Sequence, residues 1–372
     1  MREVHTKLSA VAALVANLAV PAIAQNNPEG DVRDASGSSA VASHSTCIDP
    51  TFGATLFANY FYSVRGTEGR LFNRFDLDRV YLTMKTPLGE GWRFQSTTDI
   101  YRNSGSSSYY NGFAMRLKCA MVEYSPAASV SLKFGMIPGP WNGLVESYWR
   151  YRGVAQTASD RFGLINTADL GVSATYVLPG EWGDVSGYIL NGPGYAAPEA
   201  NRFKDFTLRA TVMPLGFVDE LEGLTLGGLL YRGNNGTTVA LAKNRFGAFV
   251  GYSYSVATIG AEYLVVKNAP SSPDTVISGN LLSVFGELKM PLADLQSNLS
   301  FIARIDVNEP NIHKGGDITR LLIFGVVWKA NERVWWSFDH QRCWTEAATQ
   351  KATDGSFVET DVRWYLHAII NI

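Results

Sequence analysis

Alternation of apolar and polar residues constrains this chain more than any other feature of its sequence. The segment 130–136 shows the pattern, because small or polar residues separate four apolar ones: Val130, Leu132, Phe134 and Met136. The same alternation recurs from residue 55 to residue 370, in stretches of about ten residues. Successive side chains of a strand point to opposite faces, so each stretch forms a strand with one apolar and one polar face. Such strands are typical of a transmembrane barrel, in which one face meets lipid and the other meets water.

The connections between these stretches alternate in length. Short turns such as 87–90 and 179–181 alternate with longer polar loops such as 103–111, and the longest connection, 138–168, follows the fifth strand. Bacterial barrels have short periplasmic turns, longer external loops and an even number of strands. The predicted fold class is therefore all-β: a transmembrane antiparallel β-barrel of about 16 strands with a long third extracellular loop. The predicted strands span 54–64, 74–86, 91–102, 112–124, 129–137, 169–178, 183–191, 205–213, 222–232, 243–254, 256–267, 280–290, 297–307, 318–329, 332–345 and 358–371.

The chain before the barrel divides into two parts. Residues 1–24 are predicted to be a cleaved signal peptide, because a basic start and an apolar run precede the small-residue site Ala22-Ile23-Ala24. Residues 25–53 are predicted to be a flexible periplasmic segment, and residues 54–372 the outer-membrane barrel. The alternative of an uncleaved helical anchor is disfavoured, because the apolar run is too short to span a bilayer. We therefore expect export to the outer membrane of a Gram-negative-type bacterium.

Few residues are arranged for catalysis, metal binding or nucleic-acid binding. Cys47, Cys119 and Cys343 lack zinc-ligand spacing, and the chain has no GxSxG nucleophile motif. We therefore expect no cofactor and no enzymatic activity. The formal net charge is -2 and basic residues are dispersed along the strands, so no nucleic-acid partner is expected. A structural or adhesive barrel is the main alternative to a channel, and an outer-membrane enzyme is a weaker one.

The polar strand faces identify a water-filled lumen. In the third strand Arg93 and Asp99 share a face, which cannot lie in lipid because a charge at the bilayer midplane costs about 2–4 kcal/mol. Glu123 falls on the apolar face of its strand and is placed at the periplasmic rim. The same alternation predicts these basic pore-lining residues: Arg79, Lys85, Arg93, Arg116, Lys118, Lys133, Arg209, Arg245, Lys289, Arg304 and Arg363.

The lumen charges are uneven, because strands two to five contribute six basic residues against Asp99 alone. Clefts lined by one sign of charge concentrate counter-ions, and rings of Arg or Lys favour anions in pores. We expect passive diffusion of small solutes with a weak to moderate anion preference. In the alternative interpretation the basic groups only pair with acidic neighbours and hold the wall and loop in place. The residues expected to form the constriction loop are Trp141, Glu146, Arg150, Arg152, Asp160 and Arg161.

Four segments resemble those of the phosphate-selective porin family and its broader relatives. They are RFDLDRVYLTMK at 74–85, LKFGMIPGPW at 132–141, NGPGY at 191–195 and FDHQR at 338–342. The resemblance implies a sixteen-stranded, trimeric barrel that passes small anions through a channel constricted by its third loop. In that family basic side chains conduct the anion, and Lys133, Arg150, Arg152 and Arg161 occupy the corresponding regions. The third loop contains no lysine, which departs from the family's pattern. The expected partners are outer-membrane lipid, small and mainly anionic solutes, and further copies of the chain in a homotrimer.

Overall fold

A computed structural model describes residues 49–66, 68–103, 112–290, 298–346, 350–351, 357–358 and 360–372. The predicted signal peptide and most of the predicted periplasmic segment lie outside these residues. Sixteen antiparallel strands form one closed barrel, and a short hairpin stands apart from it. No helix in the described part of the chain is both long and apolar enough to cross a bilayer.

The barrel strands follow one another around the ring in chain order. They are β1 (Thr51–Arg65), β2 (Asn73–Gly89), β3 (Trp92–Asn103), β4 (Gly112–Ala127), β5 (Val130–Pro138), β6 (Ala168–Val177), β7 (Gly183–Leu190), β8 (Asp205–Val212), β9 (Leu224–Asn234), β10 (Ala242–Tyr254), β11 (Ala257–Asn268), β12 (Ile277–Lys289), β13 (Leu299–Glu309), β14 (Thr319–Lys329), β15 (Val334–Thr345) and β18 (Thr360–Asn371). The separate hairpin consists of β16 (Gln350–Lys351) and β17 (Phe357–Val358). Short helices are α1 (Asn142–Tyr148), α2 (Ala158–Arg161) and a 3-10 turn at Pro179–Glu181.

The first and last strands close the barrel. β1 pairs with β18 from Thr55 opposite Asn371 to Arg65 opposite Val362. The backbone groups of Ala54 and Ile372 exchange two hydrogen bonds of 3.0 and 2.8 Å, so the chain end belongs to the wall. The predicted sixteen-stranded antiparallel barrel is confirmed, and each predicted strand boundary falls within three residues of the observed one. The hairpin was not predicted. It contains Val358, which was predicted to belong to the last barrel strand.

The outer face of the barrel is apolar. Phe75, Met115 and Phe134 are 84%, 68% and 69% exposed, although each lies within a regular strand. Exposed aromatic residues concentrate at the strand ends next to the short turns: Trp92, Tyr176, Trp182, Tyr254, Trp328 and Trp336. Such an apolar surface is unfavourable in water. It is suited to a lipid bilayer, in which the aromatic residues at the strand ends would lie at the level of the headgroups.

A β-bulge corrects the predicted face of Glu123. Across β3 and β4, Thr97 opposes Cys119 but Thr98 opposes Leu117, so Lys118 is the extra residue. The bulge changes the phase of β4 by one residue, which is enough to exchange its two faces. Glu123 consequently lies opposite Arg93 on the inner face and accepts a 2.8 Å hydrogen bond from it. The prediction that Glu123 lies on the apolar face was wrong, because strict alternation does not anticipate a bulge.

Candidate functional site: a loop folded across the lumen

The connection between β5 and β6, residues 139–167, folds against the inner wall of the barrel; we call it the inner loop. Trp141, Val145 and Trp149 are fully buried, each at most 1% exposed. They pack on inward-facing apolar residues of β9 to β14: Leu229, Phe249, Leu264, Leu281, Phe285, Ile302, Leu321, Ile323 and Val327. Burying side chains of this size contributes about 1.5–3 kcal/mol each, so the loop is firmly held.

Charged residues of the wall anchor the backbone and the indole of the inner loop. The fully buried Glu262 accepts hydrogen bonds from Trp141 Nε1 at 2.9 Å and from the Ser159 backbone N–H at 3.2 Å. Arg245 Nε donates to the Leu164 carbonyl at 3.1 Å, and Arg304 Nη1 donates to the Gln156 carbonyl at 2.5 Å. These groups satisfy the polar atoms of an irregular backbone inside the barrel, where an unpaired polar group is costly.

Two residues predicted to line the pore lie beneath the inner loop instead. Arg245 and Arg304 are 3% and 2% exposed, although both face inward as the alternation predicted. Arg304 also pairs with Asp306 at 2.7 Å and lies over the Trp149 ring. The sequence prediction was wrong about their contact with water, because it did not place the loop over this part of the wall. Trp141, predicted as a constriction residue, is likewise an anchor.

Helix α1 offers a test of loop docking with a modest effect. The Tyr148 hydroxyl donates a 2.6 Å hydrogen bond to Thr225 Oγ1, while its ring packs against Phe249. The change Tyr148→Phe keeps the ring contact and removes the hydrogen bond, so the free energy of unfolding should fall by about 1 kcal/mol. Urea unfolding followed by tryptophan fluorescence measures this change in the free energy of unfolding. Tyr60→Phe is the matched control, because the described residues give the Tyr60 hydroxyl no hydrogen bond, and an equal loss in both variants contradicts the assignment.

The far side of the inner loop reaches the opposite wall through Arg152. Arg152 Nε lies 3.4 Å from the hydroxyl oxygen of Tyr81 on β2, eight strands around the ring from β10. Arg79 Nη1 and Lys118 Nζ approach the same oxygen at 3.2 and 2.9 Å. Three cationic side chains, two from the wall and one from the loop, therefore converge on one phenol, and we call this the Tyr81 cluster.

Carboxylates partly neutralise the Tyr81 cluster. Asp99, fully buried on β3, lies 3.6 Å from Arg79 and 2.9 Å from Arg116. Arg152 pairs with Glu146 and, at 2.9 Å, with Asp160 of its own loop. Although burial by itself lowers the pKa of Arg152, the hydroxyl oxygen of Tyr81 and the carboxylates of Glu146 and Asp160 raise that pKa above its usual value. The guanidinium therefore stays charged, and four cations face three carboxylates here.

Tyr195 completes this region from the next long loop. Its hydroxyl lies 3.0 Å from Arg116 and 3.4 Å from Arg79. In the sequence Tyr195 belongs to the segment NGPGY at 191–195, and no role was predicted for it. The spacing of Tyr81 between Arg79 and Lys85 on one strand face was a signal for the Tyr81 cluster. No local sequence pattern predicts the contacts of Tyr195 with Arg116 and Arg79, because they depend on how the loop that carries Tyr195 folds.

The rest of the predicted basic wall divides into paired and unpaired groups. Arg93 pairs with Glu123, Arg209 with Asp184, and Arg363 with both Asp361 and Glu68. Within the described residues, no carboxylate lies at ion-pair distance from the inward-facing Lys85, Lys118, Lys133 and Lys289. Three of these four lysines lie on β2, β4 and β5, the strands with the predicted basic excess. Within this predicted wall the arginines are therefore mostly paired, as the interpretation of a structural charge network predicted, whereas these four lysines are not.

A cavity of about 420 Å³ lies between the tip of the inner loop and the wall. Loop residues 152–156 form one side, and residues of β1 to β3, β15 and β18 form the other. Five arginines and two aspartates line it: Arg74, Arg79, Arg102, Arg152, Arg161, Asp76 and Asp78. Of the remaining loop predictions, Arg161 thus faces this space, and Arg150 extends to within 3.8 Å of Glu287 on β12. The cavity is polar, large enough for a small hydrated ion, and rich in guanidinium groups.

Comparison with solved structures finds the same fold. The anion-selective porin from Comamonas acidovorans is 11% identical and superposes with a TM-score of 0.62, over 87% of this chain and 100% of that one. The outer membrane channel DcaP of Acinetobacter baumannii is 12% identical, with a TM-score of 0.60 over 88% and 98%. The trimer form of OmpT of Vibrio cholerae is 14% identical, with a TM-score of 0.55 over 87% and 99%. No family model and no curated protein matches the sequence. None of the three structures is described as phosphate-selective, so the finer resemblance is not confirmed.

Proposed function

We propose that this chain forms a water-filled channel of a bacterial outer membrane, through which small solutes diffuse passively with a preference for anions. The Tyr81 cluster is the observation that carries this proposal. It sets Arg152 of the inner loop against Arg79 and Lys118 of the wall, and Arg79 and Arg152 line the cavity between the loop and the wall. Arg79 and Arg116 are partly exposed while the carboxylate of Asp99 between them is fully buried, whereas Glu146 and Asp160, the partners of Arg152, are themselves partly exposed.

The apolar outer face and the shared fold support the location. A barrel with exposed phenylalanines on its strands needs lipid around it. The solved structures of the same fold are outer-membrane proteins, one described as anion-selective and one as a trimer. We accordingly include homotrimeric assembly in the proposal, to be tested by light scattering of the detergent-solubilised protein. A monomer mass would remove that part alone.

The preference concerns anions in general rather than phosphate. Guanidinium groups at the inner loop are shared with Glu146 and Asp160, so the local excess of positive charge is small. A small excess concentrates counter-ions weakly and without regard to their shape. We therefore expect chloride, phosphate and small carboxylates to pass at comparable rates.

Single-channel recording in a planar bilayer with a KCl gradient tests the function. We expect discrete conductance steps and a reversal potential on the chloride side, of a size that gives a several-fold preference for chloride. The heat-denatured protein is the control. A reversal potential at zero or on the potassium side overturns the anion preference, and folded protein without steps overturns the channel.

A further inference from the structure

A second connection enters the barrel beside the inner loop. The connection between β7 and β8 begins with the segment 191–195, of sequence NGPGY. The Tyr195 hydroxyl oxygen lies within hydrogen-bond distance of three inward-facing side chains: Arg79 Nη1 at 3.4 Å, Asp99 Oδ2 at 3.3 Å and Arg116 Nη2 at 3.0 Å. These partners belong to β2, β3 and β4, which lie three to five strands from β7 around the ring. The segment therefore crosses the inner side of the wall, and it meets the Tyr81 cluster at Arg79.

The backbone of this segment is held in place at several points. The buried Asp169 carboxylate accepts hydrogen bonds from the N–H groups of Gly192 at 2.8 Å and Gly194 at 3.2 Å. The N–H of Tyr195 donates to the carbonyl of Ala168, at the start of β6, at 3.1 Å. Gly192 and Gly194 have φ angles of +114° and +83°, which residues with a side chain rarely adopt. The two glycines and Asp169 therefore fix the place at which Tyr195 enters the lumen.

Tyr195 contacts both charges of the ion pair between Arg116 and Asp99. The guanidinium carbon of Arg116 lies 4.6 Å from the centre of the Tyr195 ring and 4.0 Å from that of the Tyr101 ring, so two aromatic rings hold this cation. Burial raises the pKa of Tyr195, so its hydroxyl keeps the proton at neutral pH. A protonated phenol donates to the Asp99 carboxylate while it accepts from the Arg116 guanidinium. One side chain thus fixes the position of a cation and of the anion that accompanies it.

The charges that Tyr195 touches are unequally exposed to the lumen. The side chains of Arg79 and Arg116 are each 23% exposed, whereas the side chain of Asp99 is fully buried. We propose that Tyr195 is a positioning residue for anion selectivity, because it covers the Asp99 carboxylate and keeps the Arg116 guanidinium beside it. The lumen then meets the positive groups of these ion pairs and not the negative one. The inference rests on the channel in the proposed function, and it concerns the sign of the charge on a solute rather than its shape.

Single-channel recording of the full-length variant Tyr195→Ala in a KCl gradient tests the inference. Removing the ring opens the Asp99 carboxylate to the lumen, where a negative charge about 6 Å from a passing chloride lowers its local concentration about threefold in a water-like dielectric. We expect the reversal potential to move toward the potassium side, with the permeability ratio of chloride to potassium at least about threefold below that of the wild type. The variant Tyr195→Phe keeps the ring over Arg116, so its ratio should lie between those of the wild type and Tyr195→Ala.

A second background separates the effect of charge from the effect of pore width. In the variant Asp99→Asn the covered group carries no charge, so adding Tyr195→Ala should leave the permeability ratio of that variant unchanged. Phe203→Ala is the matched control, because Phe203 lies in the same connection with the Arg202 guanidinium over its ring, and this change should keep the wild-type ratio. Gly194→Ala puts a side chain on a positive φ angle and displaces the segment, so it replaces Tyr195→Ala if that variant does not fold.

The outcomes distinguish this inference from the proposed function. An unchanged permeability ratio in folded Tyr195→Ala, or an equal change of the ratio in both backgrounds, overturns the inference. The shift is measured against the wild type, so it is expected even if the wild type shows no preference for chloride, a result that overturns the anion preference alone. Folded wild-type protein without conductance steps overturns the channel and this inference together.

Discussion

Deleting residues 145–158 should raise the single-channel conductance about two- to threefold, since the constriction sets the resistance of a pore. This segment contains Arg152, which extends the inner loop to Tyr81 on β2, together with the buried Val145 and Trp149. The remaining ends are close together, because Trp141 and Ser159 both donate hydrogen bonds to the carboxylate of Glu262. Leu144 and Ser159 can therefore be joined while Trp141 and Ser159 keep their hydrogen bonds to Glu262, although the packing of Val145 and Trp149 and the contact of Arg304 with Gln156 are lost.

The deletion needs controls for folding and for loop length. Heat-modifiable migration on a gel establishes that the barrel has formed, which is essential because the change exposes apolar wall residues such as Phe285 and Leu281. Deleting residues 271–275 from the exposed β11–β12 connection is the control for shortening a loop elsewhere, and it should leave the conductance unchanged. Unchanged conductance after the inner-loop deletion, in folded protein, would show that residues 145–158 do not limit the channel.

The barrel was predictable from the sequence because its two requirements are local. Lipid on one side and water on the other impose alternation within each strand, and hairpin connections impose the alternation of turn and loop lengths. Alternation does not identify the inward face of the strand 318–329, because the middle of this strand is apolar on both faces. The structure explains it: Leu321, Ile323 and Val327 face inward but meet the inner loop rather than water.

The candidate site was predictable only in part, because its geometry depends on contacts between distant segments. Alternation placed Arg79 and Lys118 on the inner face, and loop length selected residues 138–168 as the constriction. Neither pattern shows that Arg304 would lie under Trp149 or that Arg152 would meet Tyr81, separated by 71 residues. The bulge at Lys118 was also invisible, although it decides the face of every later residue in β4, Glu123 included.

The ion pairs of the wall indicate which charged residues hold the structure together and which are available to affect the selectivity of the channel. Arg245 and Arg304 are buried and hold the inner loop, so removing them tests folding more than conduction. Lys118 differs, because within the described residues its ammonium group contacts only the Tyr81 hydroxyl and ring. A substitution at Lys118 therefore leaves no buried carboxylate unpaired. For this reason Lys118 is the residue at which the selectivity of the channel can be examined without disturbing the fold.

The variant Lys118→Glu should move the reversal potential in a KCl gradient from the chloride side to the potassium side. The change replaces one positive charge by one negative charge beside Arg79 and Arg152. At about 6 Å in a water-like dielectric, two charges alter the energy of a passing chloride by about 1.4 kcal/mol, or about tenfold in its local concentration. Salt screens this interaction, so the shift should shrink as the ionic strength of both compartments rises.

Graded substitutions distinguish charge from shape at this position. Lys118→Gln should produce about half the shift of Lys118→Glu, because it removes one charge rather than two. Arg333→Glu makes the same reversal in a short turn away from the inner loop and should leave the reversal potential unchanged. If both Lys118 variants keep the wild-type reversal potential, the Tyr81 cluster does not set the selectivity. Lys85 and Lys133 further along the same wall would then be the groups to change, because within the described residues no carboxylate lies at ion-pair distance from either.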